Sequence, residues 1–315
     1  MGQNKPNFFI VGAAKAGTTS LYEYLKQHPD IYFSPVKEPN YFSTDIDTDQ
    51  FSSTYRKNTI LDTESYFSQY PLPTLQLTFV RKSEHYRRLF EEVNNEQAIG
   101  EASTSYLFST EAAANIYHYN PNARILAILR NPVRRAYSHY LMALRYGHTD
   151  MGFYEAIKTD YQKTNKGWGI SELFIELGLY FRQLKRYYDI FPPHQIKVLL
   201  FDDLVSRPEK VLQECYNFLG VEQRLPDSFA SFNQAQVPRH KSFNKLMTQW
   251  GIKKILKNYL PHPLQEKIKS KLFSIAQPGK EIDGKSEAFL HEIYDEDILK
   301  TSRLIEKDLS GWLKD

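Results

Sequence analysis

The stretch "IVGAAKAGTTS" at residues 10–20 restricts the fold of this chain more than any other part of the sequence. An apolar run that begins at Asn7 leads into a turn of small residues, and hydroxyl residues suited to a helix start follow directly. A strand, a small-residue turn and a helix N-terminus together form a ring of backbone N–H donors at the positive end of the helix dipole. The stretch therefore predicts an α/β fold with an anion site after its first strand.

The lysine of this loop stands in an unusual position. Gly12 and Gly17 have the spacing of the G-x-x-x-x-G phosphate loop, which normally continues with Lys and then Ser or Thr. Thr18 and Thr19 stand there instead, and Lys15 lies inside the turn. The usual lysine reaches the outer phosphates of a nucleoside triphosphate, and the hydroxyl after it holds Mg²⁺. The displacement favours a smaller anion with Lys15 near a bridging oxygen, although the loop alone also fits a surface lysine in a tight turn.

Further apolar runs alternate with helical patterns along the chain. Continuous apolar runs are typical of strands covered on both faces, and hence of a parallel sheet between helices. The pattern predicts an α/β, P-loop-like fold of three layers, with a central parallel sheet flanked by helices and with helical covering elements. The predicted strands span residues 7–12, 97–103, 123–130 and 195–201, and the predicted helices begin near Gly17, Pro132, Glu176 and Pro208, the last ending at Gly220.

A second candidate anion site follows the third of these strands, in "ILAILRNPVRRAYSHYL". Arg130 ends the strand at the edge where open α/β sheets bind ligands, and Pro132 suits the first turn of the next helix. Ser138 lies about two helical turns further on, and an arginine with a serine hydroxyl suits a phosphate. We expect Arg135 and Arg145 to face solvent.

Composition and charge exclude several classes of protein. The 315 residues carry a formal net charge of only +3, which is too small for general nucleic-acid binding. The single cysteine, Cys215, lies at helical spacing among apolar residues, so we expect a buried thiol and no internal disulfide. No apolar run reaches the length of a membrane span, and the first residues lack the apolar core of a signal peptide. We therefore expect a cytoplasmic protein without a transmembrane segment.

Two segments interrupt the alternation of strands and helices. Residues 44–95 are polar and rich in tyrosine, and we interpret them as an insertion or covering element. Residues 239–271 contain eight lysines and Arg239 against one acid, Glu266. They favour a solvated helical face, and a basic surface for a membrane or an acidic partner is the alternative.

Taken together, "FFIVGAAKAGTTSL" and "ILAILRNPVRRAYSHYL" resemble the two donor-binding motifs of the sulfotransferase superfamily, whose members use 3′-phosphoadenosine 5′-phosphosulfate (PAPS). The resemblance continues through "HPDIYFSPVKEPNYFS", "GEASTSYL" and "RPEKVLQECYNFLGV" and covers most of residues 7–220. It is nearest to the branch of heparan sulfate sulfotransferases and their bacterial relatives, and a sulfotransferase domain of polyketide-synthase type also fits. It implies a single sulfotransferase domain over residues 1–315, with 44–95 as an acceptor-side insertion and 237–285 as a basic lid and C-terminal helical region.

The resemblance implies a role for each residue of the two motifs. Lys15 would stabilise the bridging oxygen as it leaves, and Arg130 and Ser138 would bind the 3′-phosphate. A sulfuryl group carries less charge than a terminal phosphoryl group, so the resemblance implies transfer without a metal. The 5′-phosphate would be held by Ala16, Gly17, Thr18, Thr19 and Ser20.

The resemblance also implies a base that accepts the proton of the attacking hydroxyl. Glu38 in "VKEPNYFS" matches the glutamate that has this role in the glycan branch. Glu101 in "GEASTSYL" ends a buried strand, where we expect it to orient Lys15 or to contact the acceptor as a candidate second base. The lysine that often follows this glutamate in the glycan enzymes is Ala102 here, which disfavours a sulfated or carboxylated acceptor.

The stretch "VPRHKSF" at residues 237–243 resembles the late basic loop that closes over the 3′-phosphate in this superfamily. Arg239 and Lys241 match the charges of that loop, whereas Ser242 replaces its usual glycine. His240 is a candidate second base or acceptor contact.

Two other classes of function stay open at this point. A P-loop kinase or NTPase that has lost its standard residues would turn over ATP with Mg²⁺, and a non-catalytic nucleotide-binding module would need no base. The acceptor hydroxyl is equally open: bacterial glycans, lipids, small natural products and a hydroxyacyl chain on an acyl carrier protein all fit. An acidic carrier protein would suit the basic segment.

Overall fold

The computed structural model describes residues 4–59, 62–226, 229, 236–249, 272–275 and 282–313. Its strands are β1 (Phe8–Gly12), β2 (Ile31–Phe33), β3 (Val36–Glu38), β4 (Leu75–Leu77), β5 (Ala98–Ala102), β6 (Arg124–Leu129), β7 (Ile196–Leu200), β8 (Gln236–Pro238) and β9 (Phe273–Ile275). Five of them form a parallel sheet in the order β2-β5-β1-β6-β7. β3 pairs with β4 in parallel, and β8 pairs with β9 antiparallel.

Helices cover the central sheet on both faces. They are α1 (Thr18–Leu25), α2 (Ser53–Asn58), α3 (Glu64–Phe67), α4 (Ser83–Arg88), α5 (Ser105–Phe108), α6 (Ala112–Tyr119), α7 (Pro132–Tyr146), α8 (Phe153–Tyr161), α9 (Tyr180–Tyr188), α10 (Phe201–Ser206), α11 (Pro208–Leu219), α12 (Lys241–Gln249) and α13 (Gly284–Ile305). None of the helices in the described part of the chain combines the length and the apolar character that a membrane crossing requires.

Alternate side chains of β1 enter two separate hydrophobic cores. Phe8 and Ile10 pack on one face with residues of α1 and α11, among them Leu212 and Cys215. Phe9 and Val11 pack on the other face with residues of α7, α9 and α13. The predicted three-layer α/β fold with a parallel sheet between helices is therefore confirmed, as is the buried thiol.

The capping residues at the start of α7 and at the end of α11 set the helix boundaries that the sequence predicts. Asn131 caps α7 by accepting hydrogen bonds from the amides of Val133 and Arg134, and Pro132 occupies the first helical position. Gly220 ends α11 with a φ of 72°, a conformation that glycine adopts without strain. The third predicted helix begins slightly later than expected, because Glu176 opens a short 3₁₀ turn and α9 starts at Tyr180.

The expectation that Arg135 faces solvent is wrong. Its side chain is fully buried, and one guanidinium nitrogen donates to the carbonyl of Phe174. The C-terminal helix α13 packs beside α7, and Tyr294 on α13 donates to the carbonyl of Ile175 at 3.0 Å. No pattern in the sequence indicates that this distant helix covers α7. Arg145, also expected in solvent, is half-buried.

The two segments that break the alternation differ in what can be described. Residues 44–95 contain α2, α3, β4 and α4, whose short length explains the lack of a clear periodic pattern. Most of the basic segment 239–271 lies outside the described residues; its first part forms α12, which packs against α7.

The topology brings the two candidate anion sites to one edge of the sheet. β1 and β6 are paired neighbours, so the loop after β1 and Arg130 after β6 both lie at the carboxyl ends of adjacent strands. The amide of Ala13 donates to the carbonyl of Ile128 at 2.8 Å and closes the first turn of the loop onto β6. Open α/β sheets bind ligands at such an edge.

Candidate active site

The loop after β1 offers backbone donors that have no partner within their helix. Gly17 precedes α1 in a left-handed conformation, with a φ of 93°, and has no side chain that could cap the helix. The first amides of a helix lack intrahelical acceptors, so those of Thr18, Thr19 and Ser20 are available to an anion at the positive end of the dipole. Ala16 and Thr18 are buried, whereas Thr19 and Ser20 are half-buried.

Gly17 also lies too close to a neighbouring ring for any other residue. A Cβ at this position would stand 2.7 Å from a ring carbon of Phe201. The same ring lies under the guanidinium of Arg130, at 4.5 Å from its centroid. The loop after β1 and the side chain of Arg130 after β6 therefore both pack against Phe201.

Lys15 has a strained backbone and a perturbed side chain. Its φ of 68° is uncommon for a residue with a Cβ and costs about 1–3 kcal/mol. Its carbonyl accepts a hydrogen bond of 3.3 Å from Arg130. Burial, together with the positive charges of Arg130 and Arg145, lowers the pKa of Lys15 to about 8, and the Glu38 carboxylate acts in the opposite direction. The local charge is thus predominantly positive and suits an anionic ligand.

Arg130 and Ser138 remain open to a ligand. Both side chains are half-buried, and burial lowers the pKa of Arg130 from its usual value. The backbone of Arg130 is fixed by Tyr180, whose hydroxyl donates to its carbonyl at 2.8 Å. Within the described residues the hydroxyl of Ser138 has no hydrogen-bond partner.

Glu38 ends β3 with both carboxylate oxygens engaged. One oxygen lies 3.0 Å from the ammonium of the buried Lys37, and the other accepts a 2.9 Å hydrogen bond from the hydroxyl of Thr104. The side chain is 15% exposed, so it is shielded but can still be reached. Thr104 follows β5, and thus Glu38 is held toward the edge of the sheet where Lys15 and Arg130 lie.

Asn40 fixes the turn that carries Glu38. It is fully buried with a φ of 50°, a left-handed conformation that asparagine tolerates better than most residues. Its amide nitrogen donates to the carbonyls of Glu38 and Thr78, both at 2.8 Å, and its backbone N–H donates to Ser103. Its side-chain oxygen accepts from Ser105. Residues from three segments therefore set the position of the Glu38 backbone.

Glu101 occupies the core rather than the open cleft. It is 1% exposed, and its carboxylate accepts hydrogen bonds from Tyr86, Tyr106 and Ser103. Burial outweighs these bonds and raises its pKa to about 7. Among the described residues, none of its hydrogen bonds goes to Lys15.

The late basic loop lies beside α7. Arg239 and His240 are exposed, and the backbone N–H of Arg239 donates to the carbonyl of Leu272. The ammonium of Lys241 donates to the hydroxyl of Tyr140 at 3.1 Å. Tyr140 is two residues from Ser138 on the same helix, so the loop runs along the helix that carries the second motif.

Sequence reasoning missed two residues of this arrangement. Thr104 supports Glu38, and its place after a predicted strand was the signal that would have put it at the ligand edge. Asn40 had no comparable signal, because its partners come from distant parts of the chain.

This fold and its loop define an α/β protein with a P-loop-like turn after its first strand. Comparison with known proteins narrows the class: the model of the sulfotransferase family matches residues 6–227. The chain belongs to the sulfotransferase family.

Individual relatives agree with this assignment. The crystal structure of a sulfotransferase from Alicyclobacillus acidocaldarius is similar with a TM-score of 0.66 and 30% identity, over 98% of each chain. Human carbohydrate sulfotransferase 15 is 24% identical over 292 residues, which are 81% of this chain and 51% of that protein. Human bifunctional heparan sulfate N-deacetylase/N-sulfotransferase 3 is 27% identical over 319 residues, covering 98% of this chain and 31% of that protein. The chain thus spans about half, or less, of these two curated relatives.

Proposed function

We propose that this protein transfers a sulfuryl group from PAPS to the hydroxyl of an acceptor. The observation that carries the proposal is Lys15, a strained and half-buried lysine inside an anion loop, flanked by Arg130 and countered by Glu38. A lysine in this position can neutralise charge on an oxygen between two groups, whereas the standard phosphate loop directs its lysine to terminal phosphates.

The donor has two anionic ends, and the chain offers two sites for them. The open amides at the start of α1, with Ala16 and the hydroxyl residues Thr18, Thr19 and Ser20, would hold the 5′-phosphate. Arg130 and Ser138 would hold the 3′-phosphate, since an arginine and a hydroxyl suit a phosphate group. Arg239 and Lys241 would add positive charge from the late loop.

When bound, PAPS supplies an activated sulfuryl group. Glu38 would accept the proton of the acceptor hydroxyl while the new S–O bond forms opposite the breaking one. Lys15 would stabilise the negative charge that develops on the bridging oxygen, which stays with the nucleotide. Its pKa of about 8 leaves it mostly protonated at pH 7, as this role requires. We assign no catalytic step to Glu101 or His240.

A labelled-donor assay with a panel of hydroxyl acceptors tests the proposal. Lys15→Ala and Glu38→Gln should each lower kcat by about 10²–10⁴-fold. Glu38→Gln should leave the affinity for 3′-phosphoadenosine 5′-phosphate (PAP) within a few-fold of the parent, because Glu38 does not belong to the donor site. Transfer that persists in Lys15→Ala within a few-fold would contradict the leaving-group role.

Arg130→Ala gives an independent test of the donor geometry. It should raise the donor KM strongly, yet have little effect with adenosine 5′-phosphosulfate, which lacks the 3′-phosphate. If the variant and the parent discriminate equally between the two nucleotides, Arg130 does not bind the 3′-phosphate.

The alternative of a degenerate kinase or NTPase predicts ATP turnover that requires Mg²⁺. Sulfuryl transfer in the presence of EDTA would exclude it. A non-catalytic nucleotide-binding module predicts that Glu38→Gln changes no measurable function. A single domain over residues 1–315, the covering role of residues 44–95, the lid role of residues 237–285, metal-free chemistry and a cytoplasmic location stay predictions. An acyl carrier protein stays one of the open partners.

A further inference from the structure

Three half-buried rings form a wall that starts beside Glu38. Thr104, whose hydroxyl donates to the Glu38 carboxylate, precedes α5, and Phe108 lies four residues later on the same face of that helix. The ring of Phe108 lies 6.1 Å from that of Trp168, centroid to centroid. The indole N–H of Trp168 donates to the hydroxyl of Tyr55 at 2.7 Å. We call Phe108, Trp168 and Tyr55 the ring wall.

The ring wall is held from behind by a small hydrophobic cluster of its own. Phe51, with Ile46 and Phe79, is buried against Trp168 and Tyr55 and separate from the two main cores. Gly169 follows Trp168 with a φ of 75°, and a Cβ there would collide with the ring of Phe51. The carbonyl of Gly169 accepts a hydrogen bond from the amide of Ser52 at 2.8 Å. Trp168 is therefore fixed before any ligand arrives.

The ring wall contains one hydroxyl group, that of Tyr55, and no charged side chain. Within the described residues the Tyr55 hydroxyl accepts from Trp168 and donates to nothing, so its proton is free for a ligand oxygen. Burial raises the pKa of this hydroxyl, and the carboxylates of Glu38 and Glu172 add to the rise, so the hydroxyl keeps its proton. The three side chains of the wall carry no charge that could pair with an anionic group of an acceptor.

We propose that the ring wall is the acceptor platform and selects an uncharged acceptor that presents an apolar ring face beside its hydroxyl. This inference rests on the sulfuryl transfer proposed above, because Glu38 must act on the hydroxyl that the wall positions. Flat faces stack on aromatic side chains, and the three half-buried rings leave part of their surface exposed for such a face. A neutral sugar ring and an aromatic alcohol share this chemistry.

The experiment measures binding and turnover with three probes: 2-naphthol, methyl β-glucopyranoside and 1-hexanol. Binding to the PAP-saturated protein is followed by calorimetry, and turnover by labelled donor. At least one of the two ring compounds should bind about tenfold more tightly than 1-hexanol. Trp168→Ala and Phe108→Leu should remove most of that advantage, and Tyr55→Phe should weaken the glucoside more than 1-hexanol. Tyr70→Ala removes an exposed ring outside the wall and should change nothing.

The outcomes separate the inference from the function on which it rests. A preference for 2-naphthol alone indicates an aromatic alcohol, and a preference for the glucoside alone indicates a neutral glycan. If neither ring compound exceeds 1-hexanol, or if the wall variants weaken all three probes equally, the inference is overturned while sulfuryl transfer can stand. A loss of PAP affinity in Trp168→Ala would assign the wall to the donor and also overturns it. Wall-dependent ring binding without turnover would contradict the proposed function instead.

Discussion

Lys15 should lower the stability of the ligand-free protein, and Lys15→Met should therefore raise it. Burial and two neighbouring arginines lower the pKa of Lys15 from 10.5 to about 8, a difference worth about 3 kcal/mol for the protonated form. Methionine keeps most of the apolar stem and keeps the same left-handed backbone strain. At pH 7 the free energy of unfolding should rise by about 3 kcal/mol, while sulfuryl transfer is lost.

The pH dependence identifies the cause of this gain. Between pH 8 and 10.5 the unfolded chain holds more protons at Lys15 than the folded protein, so the parent becomes more stable as the pH rises. The advantage of Lys15→Met should accordingly fall to about 1 kcal/mol at pH 10. Urea denaturation of both proteins at pH 7 and pH 10 measures it.

Lys210→Met provides the control, because Lys210 is exposed on α11. Its free energy of unfolding should stay within about 0.5 kcal/mol of the parent at either pH. A Lys15→Met protein that is destabilised, or that gains the same amount at both pH values, would refute the electrostatic reasoning. Added PAP should stabilise the parent more than the variant, since the ligand supplies the negative charge that the free site lacks.

Two further predictions follow from the geometry of the site and its support. Gly17→Ala should cost about 1–3 kcal/mol of stability, because a φ of 93° disfavours any residue with a Cβ. It should also raise the donor KM about tenfold, because the added Cβ would displace Phe201 from beneath Arg130. Gly284→Ala, whose Cβ would meet no atom within 4 Å, is the control for thermal unfolding and kinetics. Glu101→Gln should remove a pH dependence of stability, because the protonated carboxyl stabilises the fold fully below about pH 4.5 and loses this effect as the pH rises through about 7. Calorimetry at pH 5 and pH 8 should therefore show that the stability of the variant, relative to the parent, is higher at pH 8 by roughly 2–4 kcal/mol. An equal difference at both pH values would contradict the raised pKa.

The central sheet could be predicted from the sequence because its strands are buried on both faces. The apolar runs around Phe9, Ile99, Leu126 and Val198 correspond to β1, β5, β6 and β7, and Pro132 and Pro208 open helices as expected. The three-residue strands β2, β3 and β4 are too short to show a period of two. Their pairing with distant strands sets their conformation, which no local pattern records.

The candidate site was predictable where it depends on strand ends and not where it depends on covering segments. Lys15, Arg130 and Thr104 follow neighbouring strands, so a parallel sheet brings them to one edge. The burial of Arg135 could not be predicted in this way, because it depends on α13, more than a hundred residues further along the chain. The ring wall likewise joins Tyr55, Phe108 and Trp168, which no spacing in the sequence relates.

The hydrogen bonds of Asn40 have a consequence for how activity data on this protein are interpreted. Every polar group of this buried residue is engaged, yet its side-chain amide donates to the backbone carbonyl of Glu38 rather than to the carboxylate. A mutational screen scored only by product would rank Asn40 with Lys15 and Glu38, as if it took part in the chemistry. Donor affinity separates Asn40 from Lys15, because an Asn40 variant that still folds retains the loop after β1. The free energy of unfolding separates it from Glu38, because the Asn40 variant leaves buried polar groups without partners.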